Sequence, residues 1–390
     1  MSRRELVFVL ENSFPYYAGG IENWTYNMVK RLRDNYHITI VSENRNFGSE
    51  RLYYNIPDGI KLIPYFSFRK YKWYSLINHS YFSLLDYKLR KHSIARAINK
   101  VLNSLNDKDT VIIALSTMAA SYAAGKIKHN HKEIEFVCSS RGPHADVMSK
   151  NYPLFKKQIL ASEISNMRRA DIVLTNGYDT QEYYSKRGIR SIVMKNGVDL
   201  APFYDSVPES PYKTHNKIIL SVGTLWDIKG IPELISAFGI MLRKGVQNVE
   251  LCFAGKGDPS KYEEQAKRLG VDKYVHFIGH QSNLIPYYKN ATVIACLSGG
   301  GGFGMAAIEA MASGRPVVAW DSPVYKQFQT TKQTMVLTEE KNVEKLAQSL
   351  MEVMSNEDNF SIICNNAKLI ASEFDWSKVV DDFIKIIDNQ

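Results

Sequence analysis

Two successive runs of short apolar strands alternating with helix-period segments predict an α/β protein, built as two Rossmann-like domains facing across a cleft. Three observations carry that prediction. The chain has 390 residues, more than one core usually serves. The strand–helix alternation starts, stops and starts again. Between the two runs lies a polar stretch marked by Asn196-Gly197-Val198-Asp199 and by Pro202, Pro208 and Pro211.

In the first half, apolar runs predict strands at Leu6–Leu10, Ile38–Val41, Val111–Leu115, Ile134–Val137, Ile172–Leu174 and Ile192–Met194. Helix-period segments fill the gaps, for example Glu22–Leu32 and Phe155–Met167. The second half predicts strands at Ile218–Val222, Val249–Phe253, Val275–Ile278, Val293–Leu297 and Val317–Ala319, with helices near 232–243, 260–268, 283–289 and 304–312. Short loops between unlike elements imply parallel sheets covered on both faces. The expected domains are 1–200, 201–372 and a C-terminal helix, 373–390, returning toward the first domain.

Composition sets limits. Hydrophobic residues make up 45% and charged residues 23%, which disfavours disorder and fibrous architectures. The four cysteines, Cys138, Cys252, Cys296 and Cys364, form no C-x-x-C pair, and three lie in apolar runs. They read as buried thiols of a reducing compartment, not a disulfide framework or a zinc site. Neither a secretory signal nor a membrane-spanning run is read, so the expected location is the cytoplasm. Charge is uneven: residues 1–200 carry 30 Lys+Arg and 18 Asp+Glu (+12), and residues 201–390 carry 19 and 22 (−3). The excess suggests an anionic partner for the first half. It is densest in 61–100, and within 65–100 Tyr, Phe and Trp interleave with Lys and Arg. This pattern suits an anionic membrane surface, giving peripheral attachment to its inner face, and suits equally a helix pair with an aromatic core face. No nucleic-acid-binding motif accompanies the charge.

The strongest chemical signal is Ser298-Gly299-Gly300-Gly301-Gly302-Phe303-Gly304-Met305, placed between a strand and a small-residue helix. Such a loop brings backbone N–H groups against a ligand, and the helix start favours negative charge, so the segment reads as a phosphate cradle. Glu309 lies further along that helix among Ala, Ile and Met. A carboxylate there is costly unless paired, and two vicinal ribose hydroxyls would satisfy it. Ala18-Gly19-Gly20-Ile21-Glu22 follows the first strand and opens a helix, a second weaker cradle.

These segments resemble the retaining glycosyltransferases of the GT-B fold, family four. Gly302-Phe303-Gly304 and EAMASGRPVV from Glu309 match that family's hallmark. Val222-Gly223-x-Leu225-x-x-x-Lys229-Gly230, Ala254-Gly255-Lys256-Gly257, Phe277-Ile278-Gly279, Asn196-Gly197-Val198-Asp199 and Phe374-x-Trp376 match other parts of it. The resemblance implies transfer of a sugar from a nucleotide-diphosphate donor, UDP favoured, to a glycan or lipid-linked acceptor with retention, in cell-surface polysaccharide or glycoconjugate synthesis. It implies no cofactor, and no metal is required by the sequence. The first domain takes the acceptor and the second the donor.

By position, Lys229 contacts the donor diphosphate and offsets charge on the leaving group, and Glu309 binds the ribose. Gly19, Gly20, Gly223, Thr224, Gly255, Gly301, Gly302, Phe303, Gly304 and Met305 complete the expected donor site. Arg141, at the end of the strand Ile134–Val137, stands where many relatives place a histidine and is a catalytic candidate. His144, three residues on, shares the acceptor or sugar vicinity, and its first reading is structural. Two departures stand out. Thr224 replaces the usual arginine, and the first glutamate of Glu-x7-Glu falls at Gly301. Arg141 could supply the missing cation. The double loss also motivates an alternative: a catalytically impaired nucleotide-sugar-binding protein on the same scaffold.

Overall fold

The computed structural model describes residues 3–17, 19–44, 52–68, 81–105, 109–142, 150, 155–299, 303–329, 331–356 and 360–388. The chain divides into two compact units, Met1–Lys195 with Val380–Gln390, and Asn196–Val379. The changeovers lie a few residues from those expected at 200 and 372.

The first unit holds a parallel sheet of β1 (Glu5–Val9), β2 (His37–Glu43), β3 (Lys61–Tyr65), β4 (Thr110–Ala114), β5 (Glu135–Ser140), β6 (Ile172–Thr175) and β7 (Ile192–Val193), in the order β3-β2-β1-β4-β5-β6-β7. Its helices include α1 (Gly20–Leu32), α2 (Tyr81–Asn103), α3 (Ala119–Asn130), α4 (Lys156–Met167) and α5 (Tyr178–Ser185). The central strands are continuous apolar runs, and every residue of β1 and β4 is buried. A strand covered by helices on both faces needs that composition. β3 is an addition to the sequence-based strands. Its KLIPY carries Pro64 and sits at the sheet edge, where a missing N–H is tolerated.

The second unit repeats the plan with β8 (Lys217–Val222), β9 (Val249–Ala254), β10 (Val275–Phe277), β11 (Val293–Cys296), β12 (Val317–Trp320) and β13 (Val336–Thr338), ordered β10-β9-β8-β11-β12-β13. Its helices include α6 (Ile231–Arg243), α7 (Ser260–Arg268), α8 (Ile285–Asn290), α9 (Met305–Ser313), α10 (Val343–Ser355) and α11 (Ser361–Ser372). The three-residue edge strand β13 is the second addition. β8 pairs with β9 on one side and with β11 on the other, all parallel. The strand order reverses between β8 and β11, and the carboxyl ends of those strands form the crevice where open α/β sheets bind ligands.

The last helix, α12 (Trp376–Asp388), starts in the second unit and ends in the first. Within the first unit, Phe383 stacks on Phe8 at 6.5 Å and meets Trp24 edge-on at 6.2 Å between ring centroids. Within the second, two quoted motifs meet: the Val198 amide donates to the Phe374 carbonyl at 2.8 Å, and Trp376 lies where a Gly197 side chain would be.

All four cysteines are free and buried. No helix among the described residues is long and apolar enough to cross a membrane. Of the 65–100 stretch, residues 69–80 lie outside the described residues. Tyr65 and Tyr87 are buried, and Arg90 pairs with Asp86 at 3.0 Å, so these four serve the interior of the first unit.

Candidate active site

At the reversal point of the second sheet lies a cavity of about 280 Å³. Gly223 and Thr224 wall it after β8, Leu297 and Ser298 after β11, and Phe303 to Ala307 at the start of α9. Lys229 reaches it from the loop between β8 and α6.

The loop geometry fixes that lysine. Gly230 has φ +70°, and a side chain there would meet the Leu297 carbonyl at 2.8 Å, so only glycine lets the loop turn against β11. The Ile228 carbonyl accepts from the Gly299 amide at 2.9 Å, joining the lysine loop to the glycine-rich loop. On the loop's outer side Asp227 accepts from the Tyr262 hydroxyl at 2.9 Å and pairs with Lys261 at 2.7 Å. Lys229 is half-buried, and its Nζ donates to Ser298 Oγ at 3.3 Å. Burial lowers its pKa from the ordinary lysine value. A desolvated ammonium with one hydroxyl partner gains from an incoming anion.

Opposite it, α9 begins after Gly304, whose φ of +81° is left-handed. A Cβ there would press on the Phe328 ring at 3.1 Å. Met305 and Ala306 line the cavity, and the first amides of the helix have no intrahelical acceptor, so the positive end of the helix dipole lies at the cavity wall. Phe303 is buried, edge-on to Phe328 and Phe374.

Glu309 is half-buried on α9. Its Oε2 accepts from the Tyr288 hydroxyl at 2.9 Å. Burial raises the carboxyl pKa, and the Tyr288 bond opposes that shift. Tyr288 is fully buried on α8, and burial with the adjacent carboxylate raises its own pKa. The carboxylate is therefore oriented before any ligand arrives, with Oε1 unpaired among the described residues.

Sequence reasoning missed three members of this constellation: Tyr288, Ser298 as the lysine's partner, and Tyr325. The Tyr325 hydroxyl accepts from the Ser298 amide at 2.9 Å and supports the loop from below. The demand of Glu309 for a partner was the available signal for Tyr288. The two tyrosines are buried beneath the site, where apolar periodicity conceals a polar role.

The structure gathers Gly223, Thr224, Lys229, Phe303, Gly304 and Met305 around one cavity. It does not place Gly255 or Glu309 in that lining. A side chain at Gly255 would lie 1.8 Å from the Gly223 carbonyl, so this glycine lets two loops pack behind the cavity. Gly301, Gly302 and His144 lie outside the described residues. Gly19 and Gly20 open α1 in the first unit, with Glu22 buried beneath them and held by Asn12 at 2.9 Å. Arg141, also in the first unit, stacks its guanidinium on the Trp24 ring at 3.8 Å. Burial disfavours its charge, and the ring face offsets part of that cost.

Residues 205–370 match the family model described as glycosyl transferases group 1. The matched residues lie within the second unit. An uncharacterized glycosyltransferase of Haemophilus influenzae is 23% identical over 376 residues, covering 95% of this chain and 96% of that one. Among solved structures, sucrose-phosphate synthase of Thermosynechococcus elongatus superposes with a TM-score of 0.77 at 15% identity, covering 99% of both chains. Anabaena HepE in complex with UDP does so with a TM-score of 0.74 at 18% identity, covering 99% of this chain and 100% of that one. The fold is therefore GT-B, two Rossmann-like parallel-sheet units, as the resemblance implied.

Proposed function

We propose that this protein is a retaining glycosyltransferase. It moves a sugar from a nucleoside-diphosphate donor to a glycan or lipid-linked acceptor in cell-surface polysaccharide or glycoconjugate synthesis. The observation that carries the reading is the second unit's cavity, lined by a desolvated ammonium and the start of α9, with an oriented carboxylate further along the same helix. These groups match the parts of a nucleoside diphosphate. The phosphates sit against Lys229 and the first amides of α9, and the ribose hydroxyls donate to Glu309. UDP is the favoured nucleotide, because a structural neighbour is named as a UDP complex.

In the transfer step the bond from the anomeric carbon to the diphosphate oxygen breaks and negative charge grows on the leaving group. Lys229 and the helix amides meet more charge in the transition state than in the ground state, so their contribution accelerates the step. The acceptor hydroxyl attacks from the face the diphosphate leaves, and its proton passes to a departing phosphate oxygen. Charge work is thus assigned to side chains and amides of this chain, with no metal invoked. Arg141 and the Gly19-Gly20 turn are assigned to the first domain's share of donor and acceptor contact. Thr224, in the cavity wall, brings a hydroxyl where a cation would grip phosphate more strongly, which favours the impaired, binding-only alternative.

Incubation with a panel of nucleoside-diphosphate sugars and acceptors separates the two. Released nucleotide and elongated acceptor, lost in Lys229→Ala with the fold intact, supports the enzyme. Tight nucleotide binding with no turnover under every acceptor supports the alternative.

A further inference from the structure

Apart from Arg141, the proposed donor site uses none of the first unit's positive charge, and the structure collects part of that charge in one place. Along the outer face of α3, toward the amino ends of the strands, lies a cavity of about 510 Å³. Because the strands are parallel, this is the opposite end of the sheet from the carboxyl ends of β1 and β4.

Lys126, Lys132 and Arg169 line it, and none has a carboxylate partner among the described residues. The acids nearest them in sequence are taken: Asp171 pairs with Lys128 at 2.9 Å, and Glu133 with His131 at 3.4 Å. Lys128 also donates to the Ile134 carbonyl at 2.7 Å, which makes it structural and leaves the other three cations to the cavity. Arg169 is seated by the backbone. Gly125 lies inside α3, where glycine is unfavourable, and a Cβ there would be 2.9 Å from Arg169 Cδ. The arginine stem lies across the helix where a side chain would have been. Tyr122 forms an apolar wall, with Arg169 5.8 Å and Lys91 Nζ 4.5 Å from its ring centre. Lys91 has a lowered pKa, chiefly through burial, with Lys88 and Arg169 adding like-charge repulsion.

We propose that this cavity is a second anion site, independent of the donor site, that binds a phosphate ester carried on a larger organic group. Three converging cations match a multiply charged anion better than a single carboxylate, and a guanidinium grips phosphate oxygens in pairs. The volume exceeds that of one phosphate, and the Tyr122 wall accommodates the attached group. The ester is either free or the headgroup of a lipid, two sources that share one chemistry.

The test compares the full chain with the triple variant Lys126→Ser/Lys132→Ser/Arg169→Ser. Pyrophosphate is titrated calorimetrically, and sedimentation is measured with phosphatidylglycerol–phosphatidylcholine vesicles. An unchanged melting temperature shows that the variant folds. The proposal expects the variant to lose one pyrophosphate site, or to weaken it by about tenfold or more, or to lose vesicle co-sedimentation. Loss of the pyrophosphate site assigns the free ester, and loss of sedimentation alone assigns the headgroup. Identical behaviour of parent and variant toward both probes, or no binding of either, overturns it. Lys229→Ala serves as the second comparison: a site lost there and kept in the triple variant belongs to the donor cavity. The two readings therefore fail separately.

Discussion

At the scale of single residues, the proposed function rests on two side chains whose pKa values burial moves in opposite directions. Lys229 is held by Ser298 Oγ at 3.3 Å and desolvated. Replacing it with alanine is expected to lower kcat by about 10²–10³, the range for removing one preorganised group facing developing charge. Steady-state kinetics with circular dichroism as a fold control checks this. Glu309 carries a pKa raised by burial, so its charge is lost at a higher pH than that of an ordinary glutamate. If the carboxylate accepts from the ribose, donor KM rises as pH falls through that raised value. In Glu309→Gln, KM is expected to be about tenfold higher and flat over the same range. A pH profile of KM for both proteins reads the difference. The need for these two residues was visible in the sequence, because lysine before a turning glycine and glutamate on an apolar helix both call for a partner. The identity of the protein partners was not visible. Tyr288 and Tyr325 come from segments 21 and 27 positions away from the groups they hold, and only the packed sheet brings them there.

At the scale of elements, strands came through in the sequence wherever both faces are covered, since burial on two sides demands unbroken apolar runs. Val111–Leu115 corresponds to β4 shifted by one residue, and Val293–Leu297 to β11 with one residue more at its end. The two unread strands, β3 and β13, are edges with partly exposed residues, and edges carry no such requirement. Helix starts at the glycine turns were legible for the same steric reason that makes them fragile. Gly304→Ala would force a left-handed residue to carry a Cβ against Phe328 at 3.1 Å. The expected outcome is a stability loss of about 1–3 kcal/mol with weaker nucleotide binding, as α9's first amides tilt. Denaturant unfolding and nucleotide calorimetry on the same preparation check both parts.

At the scale of the whole molecule, the chain builds two sheets and then returns its last helix to the unit it began with. Phe383 is fully buried in the first unit. Phe383→Ala is expected to cost that unit about 3–5 kcal/mol while nucleotide binding persists, because the described lining of the cavity belongs to the second unit. A melting curve followed with and without nucleotide distinguishes the effects, since bound ligand stabilises by mass action. The sequence's charge asymmetry was legible as a sum but not as a place. Part of the basic 65–100 stretch is spent on interior pairs such as Arg90 with Asp86, whereas three unpaired cations meet at the far end of α3.

The most direct measurement is a structure of the full chain with a bound UDP-sugar. The account predicts the diphosphate within hydrogen-bond reach of Lys229 Nζ and the amides at the start of α9, and both ribose hydroxyls on the Glu309 carboxylate. A nucleotide bound elsewhere, with Glu309 still touching only Tyr288, would contradict it.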